Sequence, residues 1–203
     1  MTGIAYLVGA GPGDPGLITV RGLECLRNAE VVLYDDLANP ILVEEVSDLC
    51  ERIYVGKRAG FKAKSQEETN DLLVDRVKKG KLTVRLKGGD PYVFGRGGEE
   101  ALALMSERLP FEVVPGVTSG FAAPAYAGIP VTHRGVSTQV TLVTGHEDPT
   151  KPDGQVDWET LGKAGGTLVV YMGIGKRKLY AERLIAGGMS ADTPVAVIQW
   201  GTR

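Results

Sequence analysis

Cysteine and histidine are nearly absent from this sequence, with two of each in 203 residues, and their scarcity removes several chemistries at once. Cys25 and Cys50 lie far apart, lack the close pairing of zinc or dithiol motifs, and sit in helix-like or apolar contexts, so both are expected as buried thiols. His133 and His146 are too few and too scattered for a histidine-based metal centre, and no metal is expected. A long apolar run is also lacking. Met1 leads within three residues into a strand-like segment, which leaves neither a spanning helix nor a cleavable leader; a cytoplasmic protein is expected, away from any membrane. Excess charge of one sign is missing as well. The 23 basic side chains nearly balance 25 acidic ones, which excludes a nucleic-acid or membrane surface held by bulk charge. An anionic ligand would have to be met by local basic clusters.

What is present is core material and glycine. An apolar content of 43% is enough for a substantial core in one large or two small domains. Short apolar runs alternate with helix-period segments, the pattern of an α/β fold with mainly parallel strands covered on both faces. Strands are expected at Ile4 to Val8, Val31 to Tyr34, Arg52 to Val55, Leu82 to Leu86 and Glu112 to Val114. Between them lie helical stretches. Leu17 to Asn28 carries an apolar stripe, Asn39-Pro40 reads as an N-cap with Pro in the first turn, and Ser65 to Glu68 fits a capping box ahead of a helix that stops at Gly80. A helix from Gly98 to Arg108 follows the fourth strand. After Pro115-Gly116 and a small-residue helix at Ser119 to Tyr126, the segment Gly128 to Ser137 reads as an irregular connection. The expected division is 1–117 and 118–203. The second part should hold strands at Gln139 to Thr144, Thr167 to Met172 and Pro194 to Gln199, with helices at Asp157 to Lys163 and Lys176 to Ala186. The chain stops straight after the last of these, so its second sheet is expected to be incomplete at the C-terminus.

The segment Lys87 to Glu100 concentrates the chemistry. Its five glycines allow positive φ and close approach of backbone to a ligand, while Asp90 and Arg96 bring charges that a mere turn does not need. Val8 to Gly16 is a second glycine-rich loop, placed after the first strand as a dinucleotide fingerprint would be. It fits that fingerprint poorly: the third glycine falls on Asp14, and Pro12 and Pro15 prevent a helix from starting under a pyrophosphate. Asp35 and Asp36 end the second strand, and Lys57 and Arg58 follow the third. In a parallel sheet these positions share one edge with both glycine loops, so an acid and a base could meet there and move protons. A solvated ion pair is the plainer alternative. Lys57, Arg58, Lys62, Lys64, Arg85, Lys87, Arg96 and Arg134 make this zone locally basic, suited to a ligand carrying several carboxylates. Thr118 and Ser119 open a helix with hydroxyls, which can cap it or bond a ligand, and Met172 ends an apolar strand.

Taken together these loops resemble the tetrapyrrole methylase family. The segments concerned are Val8 to Pro15, Leu33-Tyr34-Asp35, Val55 to Arg58, Lys87 to Glu100, Pro115 to Ser119, Gly128 to Arg134 and Tyr171-Met172-Gly173. Gly88-Gly89-Asp90-Pro91 followed by Phe94 to Glu100 is similar to the subgroup that C-methylates uroporphyrinogen III. The resemblance implies a two-domain α/β fold with mainly parallel mixed sheets flanked by helices, a cofactor cleft between the domains, and a homodimer. It implies S-adenosylmethionine as methyl donor, leaving as S-adenosylhomocysteine, and a small-molecule tetrapyrrole substrate rather than nucleic acid. Carried over residue by residue, donor contacts fall on Pro12, Gly88, Gly89, Asp90, Val93, Thr118, Ser119, Met172 and Gly201. The proton acceptor and donor match Asp35 and Lys57. From charge, Arg58, Arg85, Arg96 and Arg134 are candidates for the substrate's carboxylates. One departure is visible: Asp36 stands where the family commonly has Arg. Another methylase of the same fold, a nucleotide-binding oxidoreductase suggested only by the first glycine loop, and a non-catalytic binding module remain as alternatives.

Overall fold

The computed structural model describes residues 2–56, 64–146 and 156–203. The chain divides into two units, Met1–Ala122 together with Trp200–Arg203, and Ala123–Gln199.

In the first unit strands and helices alternate: β1 (Ile4–Gly9), α1 (Val20–Arg27), β2 (Val31–Tyr34), α2 (Pro40–Val43), β3 (Glu51–Tyr54), α3 (Gln66–Lys78), β4 (Leu82–Lys87), α4 (Gly97–Ser106) and β5 (Phe111–Val114). Local signals place the helix starts. The Thr19 hydroxyl accepts from Gly22 N–H to open α1, and the Asn39 side chain accepts from Ile41 N–H ahead of Pro40. Ser65 and Glu68 form a reciprocal capping box at α3. The five strands form one sheet in the order β3-β2-β4-β1-β5, with every pairing parallel. Such a sheet must be covered on both faces. On one face Val8, Val32, Val84 and Leu86 pack with Leu26 of α1 and Leu42 of α2. On the other, Ala5, Leu7 and Leu33 pack with Leu73 and Val77 of α3 and Leu104 of α4.

This strand order positions the site. β1 and β4 are neighbours, yet the chain leaves β1 through α1 toward β2 and leaves β4 through α4 toward β5, on opposite sides of the sheet. Connections that diverge from adjacent strands leave a crevice at their carboxyl ends, where α/β proteins bind ligands. Both glycine-rich loops start there.

The division between the units falls within α5 (Ser119–Tyr126). In the second unit β6 (Val140–Thr144) pairs in parallel with β7 (Thr167–Tyr171), accompanied by α6 (Trp158–Ala164) and α7 (Arg177–Ala186). Its core is small, built on Val143, Trp158 and Leu184, with the Trp158 and Tyr180 rings stacked at 4.9 Å. The strand expected at Pro194 to Gln199 does not form, and Val195 and Val197 are 84% and 70% exposed. β-propensity is a fit to a half-buried pleated surface, and no neighbouring strand pairs with this segment. All five residues of β7, which pairs with β6 in a two-stranded sheet, are partly exposed.

No helix among the described residues is long and apolar enough to cross a membrane. Nor do the described residues contain a group of three or more His, Cys, Asp or Glu side chains able to hold a metal ion.

Candidate functional site

Three loops of the first unit meet through glycine backbones at the carboxyl edge of its sheet. Gly11 and Gly89 exchange hydrogen bonds across the loops after β1 and β4, with N···O distances of 2.7 and 3.3 Å. Gly89 can take part because it adopts φ +68°. The third loop, after β5, enters at Gly116. A Cβ there would stand 2.3 Å from Gly89 O and 2.7 Å from Gly9 Cα, so no larger residue lets the three backbones touch. Asp90 locks the arrangement. Its Oδ2 accepts from Gly116 N–H at 3.0 Å, while its Oδ1 accepts from Tyr92 N–H at 2.8 Å and Val93 N–H at 3.2 Å. Beside Gly89 there is room: a Cβ added to it would have Thr118 Cα, 4.0 Å away, as its nearest neighbour. The buried Thr118 opens α5, its carbonyl accepting from Phe121 N–H and Ala122 N–H. Gly89 thus borders open space next to Thr118, with Val93 tied to the same loop through Asp90 and Ser119 following Thr118, whereas a Cβ on Gly88 would meet Leu37 Cβ at 2.5 Å.

A buried charge cluster lies next to this patch, on the α3 and α4 side of the sheet. Arg85 and Lys87, two residues apart on β4, point to the same face. The Arg85 guanidinium donates from Nη2 to Asp35 Oδ2 at 2.7 Å, from Nε to Glu100 Oε1 at 2.9 Å, and from Nη1 to the Leu86 carbonyl at 2.8 Å. Lys87 Nζ sits 3.0 Å from both Glu100 oxygens, with its hydrogen bond directed to Oε1. Oε2, also buried, meets Lys87 as an ion pair without an aligned hydrogen bond. The cluster is neutral overall and out of water: Arg85, Lys87 and Glu100 are 6%, 4% and 0% exposed. Burial opposes the Arg85 charge, but the carboxylates of Glu100 and Asp35 outweigh it and hold the guanidinium protonated. Lys87 is pushed down, first by burial and then by the neighbouring Arg85 charge. Asp35 also accepts from Leu37 N–H at 3.0 Å, so both its oxygens are oriented.

The other expected site residues are placed as follows. Pro12 is half-buried in the first glycine loop, whose Gly13 carbonyl accepts from the Asn39 side chain at 2.7 Å. Gly201 lies in the tail that belongs to this unit, next to Thr202, whose hydroxyl accepts from Asp14 N–H at 3.2 Å. Arg96 is exposed, adopts φ +59°, and forks onto Glu99 with both contacts at 2.7 Å. Together with Phe94 at φ +52° it puts two non-glycine residues into left-handed backbone within one loop, a strain of about 1–3 kcal/mol each that tends to accompany ligand sites. Asp36 accepts a hydrogen bond from the Tyr54 hydroxyl. Lys57 and Arg58 lie outside the described residues. In the second unit Arg134 is exposed, and Met172 follows β7 at φ +55° and 60% exposed, which sets it apart from a core methionine.

Chemically, the first unit presents an open patch of backbone at Gly89 and, on the neighbouring strand end, an Asp35 side chain oriented by Arg85 and Leu37 N–H. Glu100 is the residue to which the sequence assigned no role of its own; the available signal was its place on the inner face of a helix that begins at the glycine loop. Arg85 is the converse case. The sequence offered it as a ligand group, whereas its donors are turned inward to Asp35, Glu100 and the Leu86 carbonyl.

The chain is 54% identical over 201 residues to the S-adenosyl-L-methionine-dependent uroporphyrinogen III methyltransferase of Methanosarcina barkeri, covering 99% of this chain and 79% of that protein. It is 53% identical to siroheme synthase 2 of Yersinia pestis, covering 99% of this chain but 42% of that longer protein. Among solved structures, uroporphyrin-III C-methyl transferase from Thermus thermophilus, complexed with S-adenyl homocysteine, superposes with a TM-score of 0.76 at 41% identity, over 93% of this chain and 74% of that one. The family model for tetrapyrrole (corrin/porphyrin) methylases matches residues 5–203, and the chain belongs to that family.

Proposed function

We propose that this chain transfers methyl groups from S-adenosylmethionine to uroporphyrinogen III, at ring carbons C2 and then C7, giving precorrin-2 on the way to siroheme or cobalamin. The observation that carries this reading is the open backbone patch at Gly89, framed by Thr118 and held by Asp90, in a chain whose relatives of more than 50% identity bear that activity in their names. A Cβ would fill this patch, and a donor that leans on bare backbone fits it. When bound, the donor supplies a sulfonium-activated methyl group that needs no further activation.

The chain's own residues then have separate tasks. Gly88, Gly89, Asp90, Val93, Thr118 and Ser119, with Pro12, Met172 and Gly201, hold the donor, and Asp90 does so chiefly by fixing the loops. An electron-rich pyrrole carbon needs little covalent help, so alignment of the reacting atoms supplies much of the rate. Asp35 accepts the proton lost as the methylated ring rearranges, with Lys57 as its partner acid. Arg58, Arg96 and Arg134 meet the substrate carboxylates; Arg85, already bridging two carboxylates of the protein, is not available for them. The working form is a homodimer in the cytoplasm.

The test is incubation with labelled S-adenosylmethionine and uroporphyrinogen III, followed by mass and absorption of the product. Two methyl groups per macrocycle are expected. Binding of the donor without transfer to uroporphyrinogen III, but with transfer to a later corrinoid, would replace the substrate in this reading. In parallel, Gly89→Val should abolish donor binding in calorimetry, since it fills the patch at a left-handed position; tight binding by that variant would remove the loop as the donor's cradle.

A further inference from the structure

We infer that Glu100 and Arg85 are positioning residues for Asp35, a clamp that fixes the proton acceptor from behind through a chain of ion pairs. The inference rests on the reading of Asp35 given above and adds two residues that touch neither donor nor substrate.

Three observations carry it. Arg85 is shared between two carboxylates through different nitrogens, Nη2 to Asp35 at 2.7 Å and Nε to Glu100 at 2.9 Å, so a planar fork transmits the position of one acid to the other. Glu100 itself is anchored, fully buried, on the inner face of α4, and braced by Lys87 at 3.0 Å. Asp35, by contrast, lies just past the end of β2 and is only partly enclosed, its side chain 19% exposed. Asp35 is therefore the end of the chain that reaches toward solvent. The cluster is also costly to keep. Buried charges lose hydration, and hydrophobic replacements of similar volume are often no less stable. One Glu100 oxygen, Oε2, meets Lys87 Nζ at 3.0 Å without an aligned hydrogen bond, so stability by itself is a weak account of the cluster. A rigid support for a reacting carboxylate does explain it, because a displacement of about 1 Å at a reacting group can cost on the order of 10²-fold in rate.

The experiment is a double-mutant cycle on turnover. Glu100→Gln keeps the shape and removes the charge; Arg85→Lys keeps a charge that cannot fork. Each should lower kcat by roughly ten-fold or more while donor affinity by calorimetry stays within about two-fold. In an Asp35→Asn background, itself slowed about 10²-fold, each should cost less than about two-fold, since the residue they serve is gone. Equal losses in both backgrounds, or no loss in either, would overturn the inference. If neither variant folds, as judged by circular dichroism, the cluster holds the fold rather than Asp35 and the inference falls too. A readout independent of turnover separates this outcome from failure of the functional reading. In ¹⁵N-resolved spectra of the wild-type chain, the Arg85 Nε–H signal, identified by its absence from the Arg85→Lys variant, should exchange slowly with water. Fast exchange would remove the clamp whether or not methyl transfer occurs; slow exchange with no methyl transfer would remove the proposed function and leave the clamp standing.

Discussion

Replacing Gly116 by alanine adds one methyl group at the point where three loops meet, and the coordinates give the size of the insult. The new Cβ would stand 2.3 Å from Gly89 O, 2.7 Å from Gly9 Cα and 2.9 Å from Gly9 C. Carbon contacts are comfortable near 3.5–4.0 Å, so one backbone must retreat by roughly 1 Å. All three obstacles are main-chain atoms, and no rotamer change relieves them. Retreat of the Gly89 peptide strains its two bonds to Gly11, and retreat of Gly116 strains the bond from its N–H to Asp90. Overpacking costs about 1–3 kcal/mol and each lost hydrogen bond about 0.5–1.5 kcal/mol, so a total of about 2–5 kcal/mol is expected. Urea unfolding of the variant should show an earlier transition for the first unit, and calorimetry should show weakened S-adenosylmethionine binding. Gly98→Ala is the matched control. It lies in α4 with nothing within 4 Å of the added Cβ, and should gain about 0.5–1 kcal/mol from helix propensity. A Gly116→Ala protein with wild-type midpoint and wild-type donor affinity would refute the three-loop account of the site.

Asp90→Asn tests the same junction through polarity: the amide can still accept from Tyr92 and Val93 N–H, but its NH₂ then faces the Gly116 N–H, donor against donor. A loss of about 1–3 kcal/mol in urea unfolding is expected, and an unchanged midpoint would show that Asp90 does not tie these loops. Cys25 and Cys50 are buried, and burial pushes both thiols up; a thiol reagent at pH 8 should label neither in the native protein and both after unfolding, whereas rapid native labelling would contradict the packing around α1. Acid should destabilise the first unit through paired carboxylates. Arg76 holds Glu51, and Arg96 holds Glu99, below the ordinary glutamate value of about 4.3, so the unfolded chain binds protons more tightly than the folded one. Their contribution is complete above that value and is lost as pH falls from it through the lower value each group has in the folded chain. The urea midpoint should therefore decline from about pH 5 downward, less steeply in high salt, and a flat profile to pH 3 would argue against these pairs.

Much of this protein was legible in its sequence because the signals are local. Asn39-Pro40 and the Ser65–Glu68 box are read within one turn of helix, and both caps form as expected. Apolar runs at Ile4, Val31 and Leu82 mark central parallel strands, since a sheet covered on both faces needs continuous rather than alternating hydrophobicity. Where a neighbour is required the reading falters. Pro194 to Gln199 has the residues of a strand and no partner to pair with, so it remains irregular.

By itself the sequence determined the alternation of strands and helices, the glycine-rich loops at strand ends, and the family resemblance those loops carry. Only the tertiary structure decided what the charges among them do. Arg85 and Asp35 are adjacent because β2 and β4 are paired in the sheet, and Glu100 reaches Arg85 because α4 returns across its face. Gly9, Gly89 and Gly116 touch because three connections end at one edge. An ion pair or a backbone contact depends on a few ångströms between residues distant in the chain. That spacing is set by strand order and packing, and no local pattern of residue types encodes it.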